Sequence, residues 1–260
     1  MLNATAINST IGILGGIGPW AGLDVHQKIL KLSDHSIEQE CVSILHHSYP
    51  RDYSDRTEFL LGETHVNPAN AFAKALQSME RQGADIAAIV CNTAHAGPII
   101  GEIRAQLKSS ALIYVDIIEE TQNRLNEHNV SRVGLLATLG TYRFGLYENN
   151  FSGELILPNE IDQNRVHDCI YDKAFGLKVH YPKVDDFIYS ELKEVGGKLV
   201  AQGAEALVLG CTELPLINDL REHFNVPVYD PNQILAEAML REAKVISELK
   251  KQSQIIHNIS

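Results

Sequence analysis

Two cysteines, Cys91 and Cys211, stand in matching local sequences and are the residues best suited to chemistry. Each follows an apolar run of strand character that opens with a Gly-Ala pair, at Gly83 and Gly203. Eight residues separate glycine and cysteine in both copies (91 − 83 = 211 − 203), and the cysteines lie 120 residues apart (211 − 91). We interpret the two stretches as one duplicated strand-to-helix corner, which presents a thiol at the carboxyl end of a parallel strand.

Two thiols on opposite sides of a substrate carbon support two-base racemisation or epimerisation. One sulfur removes a proton from the carbon, and the other returns a proton to its opposite face. Because reacting atoms must lie about 3–3.5 Å apart, we expect the two sulfurs about 7 Å apart, too far for a disulfide. A free cysteine is only about 3% ionised at pH 7. We therefore expect a helix beginning after each cysteine to stabilise its thiolate through backbone N–H groups and the helix dipole.

The alternative is that these cysteines only fill the interior of a strand, as buried cysteines often do. That interpretation suits Cys91 and Cys211 poorly, because Asn-Thr and Thr-Glu follow them instead of further apolar residues. Cys41 and Cys169 lack such a context, and we interpret them as structural.

The elements that position the thiols alternate between strand and helix along the chain. Residues 68–82 are typical of an amphipathic helix, and a further helix is predicted over residues 168–176. Asp55 or Ser54 is expected to cap the short helix that follows it. Alternation of strand and helix predicts parallel sheets with right-handed crossovers.

A second match indicates that the whole unit is duplicated. The stretch RVGLLATLGT aligns without a gap on TIGILGGIGP, which places Gly134 on Gly12 and Gly140 on Gly18. The offset is 122 residues (134 − 12 = 140 − 18), close to the 120 between the cysteines. Two matches at nearly one offset are typical of an internal repeat.

The predicted fold is therefore α/β, with two similar Rossmann-like lobes of parallel sheet related by a pseudo-two-fold axis. The first lobe is expected to comprise residues 10–117 plus 231–252, and the second residues 118–230. Ligands of open α/β sheets bind outside the carboxyl ends of the strands. We therefore expect the active site between the lobes, with one cysteine on each side.

Composition excludes several classes of protein. The 260 residues are 45% hydrophobic and 21% charged, as in ordinary globular proteins, and no stretch is long and apolar enough to span a membrane. The net charge of −11 argues against a nucleic-acid surface. Four cysteines and the lack of a secretory signal favour the cytoplasm. The eleven histidines show no ligand-like spacing with the two cysteines, so no metal site is expected.

Five motifs together resemble those of the aspartate/glutamate racemase superfamily: GGIGP, SDRTEFLLG, VCNTAH, LATLGT and LGCTELPL, in that order. The resemblance spans residues 10–230, and the opening GGIGP is similar to the aspartate racemase branch. It implies a racemase, independent of pyridoxal phosphate or any other cofactor, that interconverts L- and D-aspartate. It also implies a cytoplasmic homodimer.

The resemblance implies roles for nine residues. Cys91 and Cys211 match the catalytic pair, in which the second cysteine deprotonates the L-enantiomer and the first the D-enantiomer. Arg56 matches an arginine that contacts the substrate carboxylate, and Lys178 a lysine that binds the side-chain carboxylate. Five further residues match positions that hold the α-carboxylate and amino group, or lie in the matching second-lobe loop: Asn92, Thr93, Thr138, Thr141 and Thr212.

These roles agree with elementary chemistry. A dicarboxylate needs cationic partners, and the arginine fork binds carboxylates in a bidentate manner. Fixed N–H and hydroxyl donors stabilise the charge that develops when the α-proton leaves. The alternative for Arg56 and Lys178 is that they are ordinary surface cations without a role in binding. Two positions stay open: His95 either supports Cys91 or only packs, and Glu213 either orients the second cysteine or caps a helix.

Several other functions are compatible with parts of the sequence. The stretch from Gly16 to Ala21 fits G-x-G-x-x-A, but a dinucleotide site also needs an acidic residue after the second strand, which ends in His46-His47-Ser48. A glutamate or broad-specificity racemase, or a dicarboxylate isomerase or decarboxylase of the same superfamily, would use similar motifs. A non-catalytic two-lobe binding protein would bind aspartate without exchanging its α-hydrogen.

Overall fold

The protein is described here by a computed structural model that covers residues 7–259, without the side chains of residue 218 and of residues 254–259. Residues 1–6, part of the stretch judged to lack a secretory signal, lie outside the described residues. No helix within this described part of the chain is long and apolar enough to cross a bilayer.

Two four-stranded parallel sheets form the framework, and they have the same strand order. The first sheet has the order β2-β1-β3-β4 and the second β6-β5-β7-β8, so each later strand repeats the place of its counterpart. The strands are β1 (Thr10–Leu14), β2 (Ser43–His47), β3 (Ile86–Ile89), β4 (Ile113–Tyr114), β5 (Arg132–Ala137), β6 (Glu154–Ile156), β7 (Ala206–Gly210) and β8 (Val228–Tyr229). The prediction of two similar α/β lobes with parallel sheets is confirmed.

The register of the sheets agrees with the repeat. Gly12 of β1 pairs with Ala87 of β3, and Gly134 of β5 pairs with Leu207 of β7. The glycines lie 122 residues apart and their partners 120 (207 − 87), the two offsets found in the sequence.

Helices connect the strands. They are α1 (Pro19–Leu32), α2 (Arg56–Leu61), α3 (Ala69–Arg81), α4 (Gly97–Gln106), α5 (Ile117–Glu127), α6 (Leu139–Arg143), α7 (Glu160–Tyr171), α8 (Leu177–His180), α9 (Asp186–Ala201), α10 (Asn218–His223) and α11 (Pro231–Ile259). The amphipathic helix predicted over residues 68–82 is α3, whose apolar residues are buried.

Two predictions about helices were wrong in detail. The helix expected over residues 168–176 begins earlier, as α7 at Glu160, because the Asn159 side chain caps it by accepting from the Asp162 N–H at 2.9 Å. The segments that follow the two cysteines are not α-helices at first. Each is a single 3-10 turn, Thr93–His95 and Leu214–Leu216, and the α-helix begins only after it.

The two sheets share one central apolar core, which also includes residues of α1, α5 and α11. Strand residues alternate between this core and an outer cluster on each lobe, as the period of two in a strand requires. Cys91 points to the same side of the sheet as Ile89, and both lie in the outer cluster of the first lobe. Cys211 and Leu209 likewise lie in the outer cluster of the second lobe. The cysteines therefore occupy equivalent places at the ends of β3 and β7. The lobe boundaries proposed above stay a prediction.

Candidate active site

The two cysteine corners lie at the carboxyl ends of the third strand of each sheet, as predicted. Cys91 comes two residues after β3, and Cys211 directly follows β7. Only 6% of Cys91 and 5% of Cys211 is exposed to solvent. Both are free thiols.

Close approaches of two glycines bring the corners of the two lobes together. A β-carbon added to Gly18 would lie 2.6 Å from Glu213 Oε1, and one added to Gly140 would lie 2.8 Å from Thr93 Cγ2. Glu213 and Thr93 each stand two residues after a cysteine (213 − 211 = 93 − 91). The glycine loop of each lobe thus lies against the cysteine corner of the other lobe. Both cysteine corners therefore lie where the two lobes meet, and we call the region between them the cleft.

Arg56 is the cation on the Cys91 side of this cleft. It is the first residue of α2, which Asp55 caps by accepting from the N–H groups of Thr57 and Glu58 at 2.8 and 3.0 Å, so the predicted cap is confirmed. The Arg56 guanidinium is 5% exposed and donates from Nη2 to the carbonyl oxygen of Ile17 at 3.1 Å. Its Nε has no hydrogen-bond partner among the described residues.

The charge on Arg56 is held by its surroundings. Burial pushes the pKa of Arg56 down, but the neighbouring Cys91, Tyr171 and Asp55 push it further up, and the net shift is upward. Arg56 therefore lies beside Cys91, close enough for the two groups to interact. Nη1 also lies 3.6 Å from Asp55 Oδ2.

Glu213 organises the Cys211 side of the cleft. The Cys211 thiol donates a hydrogen bond to Glu213 Oε2 at 3.0 Å, and the Thr212 hydroxyl donates to the same oxygen at 3.2 Å. The other carboxylate oxygen, Oε1, accepts from Lys178 Nζ at 2.6 Å. Glu213 therefore contacts the thiol and does not cap a helix with its side chain.

Burial and charge determine the protonation of this group. Burial, followed by the Glu213 carboxylate, raises the pKa of the Cys211 thiol well above its ordinary value. Burial also raises the pKa of Glu213, but Lys178, and more weakly Arg56, bring it below its ordinary value. Burial lowers the pKa of Lys178 and Glu213 raises it, with a net shift upward. The resting arrangement is a protonated Cys211 beside a carboxylate that is paired with an ammonium.

The two cations occupy equivalent positions of the repeat. Lys178 follows Arg56 by 122 residues (178 − 56), the offset that relates the glycine loops. Each lobe thus contributes one thiol and one cation to the cleft, Cys91 with Arg56 and Cys211 with Lys178. The sequence contained this relation, although it was not used to predict either cation.

Three predicted hydroxyl residues meet between the lobes. Thr93 Oγ1 lies 3.0 Å from Thr138 Oγ1 and 3.3 Å from Thr141 Oγ1, and the latter two oxygens are 3.2 Å apart. All three residues are buried. They form a cluster of hydroxyl groups at the Cys91 corner, with Thr138 and Thr141 supplied by the second lobe.

Asn92 presents a free amide donor. Its Oδ1 accepts a hydrogen bond from the buried Tyr147 hydroxyl at 2.5 Å, which orients the amide. Its Nδ2 has no partner among the residues described. A buried donor without a partner costs free energy, and a substrate oxygen would satisfy it.

His95 supports the backbone of Cys91. Its Nδ1 lies 2.8 Å from the Cys91 carbonyl oxygen, and its Nε2 lies 2.6 Å from the Tyr114 hydroxyl. Since a carbonyl oxygen only accepts, Nδ1 carries the hydrogen. His95 therefore holds the main chain of the first corner in place, which decides between the two interpretations left open by the sequence.

Two tyrosines near the cleft had no signal in the sequence. Besides Tyr147, the Tyr171 hydroxyl donates to Asp55 Oδ2 at 3.0 Å and lies 3.3 Å from Thr57 Oγ1, which links the lobes. Lys178 Nζ lies 5.3 Å from the centre of the Tyr171 ring. Both tyrosines contact residues far away in the chain, so local spacing did not point to them.

The chain is similar to known proteins over most of its length. A model of the Asp/Glu/hydantoin racemase family matches residues 14–239. The structure of the Picrophilus torridus aspartate racemase superposes with a TM-score of 0.77 at 26% identity, over 91% of this chain and 94% of the other. The broad-specificity amino-acid racemase RacX of Bacillus subtilis is 25% identical over 238 residues, 88% of this chain and 95% of RacX.

A shorter match has higher identity. The uncharacterized protein in the pnlA 3' region of Pectobacterium carotovorum is 36% identical over 106 residues, 40% of this chain and 66% of that protein.

The fold, with two parallel sheets of identical order and a cysteine corner on each, is that of the two-lobed racemases to which it is similar. The chain belongs to the Asp/Glu/hydantoin racemase family. It is accordingly an isomerase of the racemase type.

Proposed function

We propose that the protein interconverts L- and D-aspartate without a cofactor, and that Cys91 and Cys211 are its two catalytic bases. The observation that carries this proposal is the pairing of each thiol with one cation, at equivalent positions of the two lobes. Such a cleft suits a substrate with two carboxylates and one acidic carbon–hydrogen bond between the thiols.

The resting hydrogen bonds suggest how a turnover begins. Cys211 holds its proton in a hydrogen bond to Glu213 Oε2, whereas Cys91 has the Arg56 guanidinium as its neighbour. In the D-to-L direction, the Cys91 thiolate takes the α-proton, and the Cys211 thiol gives its proton to the opposite face of the same carbon. The enzyme then carries a Cys91 thiol and a Cys211 thiolate. This is the form that accepts the α-proton of the L-enantiomer in the reverse reaction.

The donors around Cys91 suit the carboxylate on which the charge of the carbanion accumulates. Asn92 Nδ2 and Arg56 Nε are buried and lack a partner among the described residues. The hydroxyl cluster of Thr93, Thr138 and Thr141 lies on the same side. Thr212 binds Glu213 through its hydroxyl, so we assign it to the support of the second corner. Donors fixed before the reaction stabilise developing charge without reorganisation.

The nearest alternative is glutamate or a broader range of amino acids. One observation favours a broad range: Lys178, the cation proposed for the side-chain carboxylate, is already paired with Glu213. The similarity to a broad-specificity racemase agrees with this alternative.

Incubation of the enzyme with L-aspartate in deuterated water tests the proposal. Chiral chromatography follows racemisation, and mass spectrometry follows deuterium at Cα. We expect Cys91→Ser and Cys211→Ser each to lower racemisation by about 10²–10⁴-fold, the usual contribution of a general acid or base. Each variant is expected to retain some exchange from the enantiomer that faces its intact thiol.

The half-buried Cys41 provides a control, because Cys41→Ser removes a thiol remote from the cleft and should leave the rate unchanged. Racemisation near the wild-type rate in either active-site variant would contradict the proposal. A covalent adduct on either cysteine during turnover would instead indicate a dicarboxylate isomerase or decarboxylase of the same superfamily, and a product with one carboxylate fewer would identify the decarboxylase. The expected homodimer is checked by light scattering, as about twice the 28.8 kDa of the chain.

A further inference from the structure

The two halves of the cleft differ at one charged position. Residue 213 is the counterpart of residue 93, because each stands two residues after its cysteine and the two are 120 apart (213 − 93). The first lobe has Thr93 there, and the second has Glu213. Around this difference, the thiols and the cations are matched in kind between the lobes. The two halves of the cleft therefore match in their thiols and cations but differ by one negative charge.

The consequence for the cations is direct. Lys178 forms a 2.6 Å ion pair with Glu213, which is 2% exposed. Arg56 has no such carboxylate at position 93. Its nearest acid, Asp55, is 3.6 Å away and uses its oxygens to cap α2 and to accept from Tyr171. Arg56 Nε stays unpartnered among the described residues. Arg56 thus keeps one free donor, Nε, for a carboxylate, whereas Lys178 is already paired with one.

Glu213 is also held in place and cannot simply turn away. Both of its oxygens accept hydrogen bonds, from Lys178 on one side and from Cys211 and Thr212 on the other. The main chain of Gly18 lies against Oε1, where a β-carbon would come within 2.6 Å. A side-chain carboxylate of the substrate would have to compete with Glu213 for Lys178.

We propose that Glu213 determines substrate specificity: by occupying Lys178, it weakens selection for a second carboxylate, so that the enzyme accepts asparagine-like neutral side chains beside aspartate. The inference rests on the proposed racemase function of this cleft and names its substrate class. With a neutral side chain, the Lys178–Glu213 pair stays intact, and the α-carboxylate binds on the Arg56 side. With aspartate, the distal carboxylate shares Lys178 with a resident anion.

The ratio of kcat/KM for aspartate to that for asparagine measures this selectivity, since the two substrates are nearly isosteric and differ in charge. Glu213→Gln keeps the shape of the side chain and removes its negative charge. Glu213→Thr introduces the residue that the first lobe has at the matching position, Thr93. Either change also alters the partner of Cys211, which affects both substrates alike and leaves the ratio informative. We expect the ratio to rise about tenfold or more in both variants, equivalent to about 1.4 kcal/mol of differential binding.

A double-variant cycle shows whether the effect acts through Lys178. In a Lys178→Gln background, Glu213→Gln should leave the ratio where Lys178→Gln alone puts it. A ratio that does not rise in the single variants, or that rises equally with and without Lys178, would overturn the proposal.

Binding of succinate provides a readout that needs no catalysis. Calorimetry on the wild type and on Glu213→Gln should show about tenfold tighter binding of succinate in the variant, and no change for its monoamide, succinamate. If the wild type racemises neither amino acid but succinate binding tightens, the proposed function fails and the role of Glu213 stands. If the wild type racemises aspartate but neither the ratio nor succinate binding changes in the variants, the proposed function stands and the role of Glu213 fails. Circular dichroism verifies that each variant is folded.

Discussion

At the scale of single residues, the two buried thiols Cys211 and Cys169 both have a raised pKa but differ in their surroundings. Cys211 has a carboxylate acceptor at 3.0 Å and a cation beyond it. Cys169, in α7, is 1% exposed in the apolar cluster of the second lobe and does not border the cleft. Burial, followed by the charges of Glu191 and Asp168, raises the pKa of Cys169 to about 12. It therefore affects stability at alkaline pH, independently of catalysis.

The pH dependence of the free energy of unfolding tests the raised pKa of Cys169. A free thiol has a pKa of about 8.5. Above that pH the unfolded chain loses the Cys169 proton while the folded protein keeps it, so the stability that this group contributes falls as pH rises. Between pH 8 and 10 the loss should be about 2 kcal/mol, since one pH unit corresponds to about 1.4 kcal/mol. Urea unfolding of wild type and Cys169→Ala at the two pH values measures it.

The alanine variant lacks the titrating group, so its free energy of unfolding should fall by about 2 kcal/mol less over this range. A uniform loss of stability from the smaller side chain is expected at both pH values and does not affect the comparison. Parallel pH dependence in the two proteins would contradict the prediction.

At the scale of elements, the short helix α6 must pass very close to the first lobe. Gly140 lies in α6, and a β-carbon there would meet Thr93 Cγ2 at 2.8 Å and Thr57 Oγ1 at 3.1 Å. We expect Gly140→Ala to cost about 1–3 kcal/mol through overpacking. Displacement of Thr93 should lower kcat/KM on the order of 10²-fold, because misplacement by about 1 Å has effects of that size. Thermal unfolding and racemisation assays measure the two effects.

Gly197 in α9 is the matched control. No atom outside its own helix lies within 4 Å of a β-carbon added there. Gly197→Ala should therefore leave racemisation unchanged and raise stability by up to about 1 kcal/mol, through the higher helix propensity of alanine. If Gly140→Ala and Gly197→Ala had the same stability and the same racemisation rate, the close approach of α6 to the first lobe would not matter for either property.

Elements were predictable where periodicity was strong. Helix α3 agrees with the prediction within one residue at each end, because its apolar residues repeat with the period of a helix. Helix α7 was misplaced, since its first turns are polar and its start depends on the Asn159 cap. The 3-10 turns after the cysteines were also missed. Pro98, a residue suited to the start of a helix, stands at the first turn of α4 and favours a start there.

At the scale of the whole molecule, Asn232 ties the second cysteine corner to the first lobe. Its Nδ2 donates to the carbonyl oxygen of Thr212 at 2.9 Å and to Asp24 Oδ2, in α1, at 2.8 Å. Lys28 pairs with Asp230 at 2.8 Å in the same buried group. Asn232 itself is fully buried. Its amide therefore joins α1, α11 and the residue next to Cys211.

Replacement of this amide should loosen the contact between the lobes. Asn232→Asp places a carboxylate against Asp24 and against a carbonyl oxygen, so we expect a loss of at least about 2 kcal/mol in the free energy of unfolding. A second change, Asp24→Asn, returns a donor to the pair and should recover part of that loss. Chemical unfolding of the single and double variants measures both. A double variant as unstable as the sum of the two single variants would contradict a direct contact.

The site was predictable to the extent that it is repeated or carries a family motif. Each glycine loop lies against the cysteine corner of the other lobe, as the repeat requires, whereas the roles of the cysteines stay a prediction. Tyr147, Tyr171 and Asn232 were not predicted, because each acts through a hydrogen bond to a distant part of the chain. The ion pair of Lys178 with Glu213 was not predicted either, because the sequence around each residue does not indicate its partner.

Burial of the two thiols also bears on how the protein survives in air. Sulfur oxidation by dissolved peroxide depends on access as well as on ionisation, and only 6% of Cys91 and 5% of Cys211 faces solvent. The low exposure of both sulfurs therefore slows their oxidation in the resting protein. A substrate bound against them would reduce access further, so saturation with substrate should protect the enzyme from inactivation by peroxide.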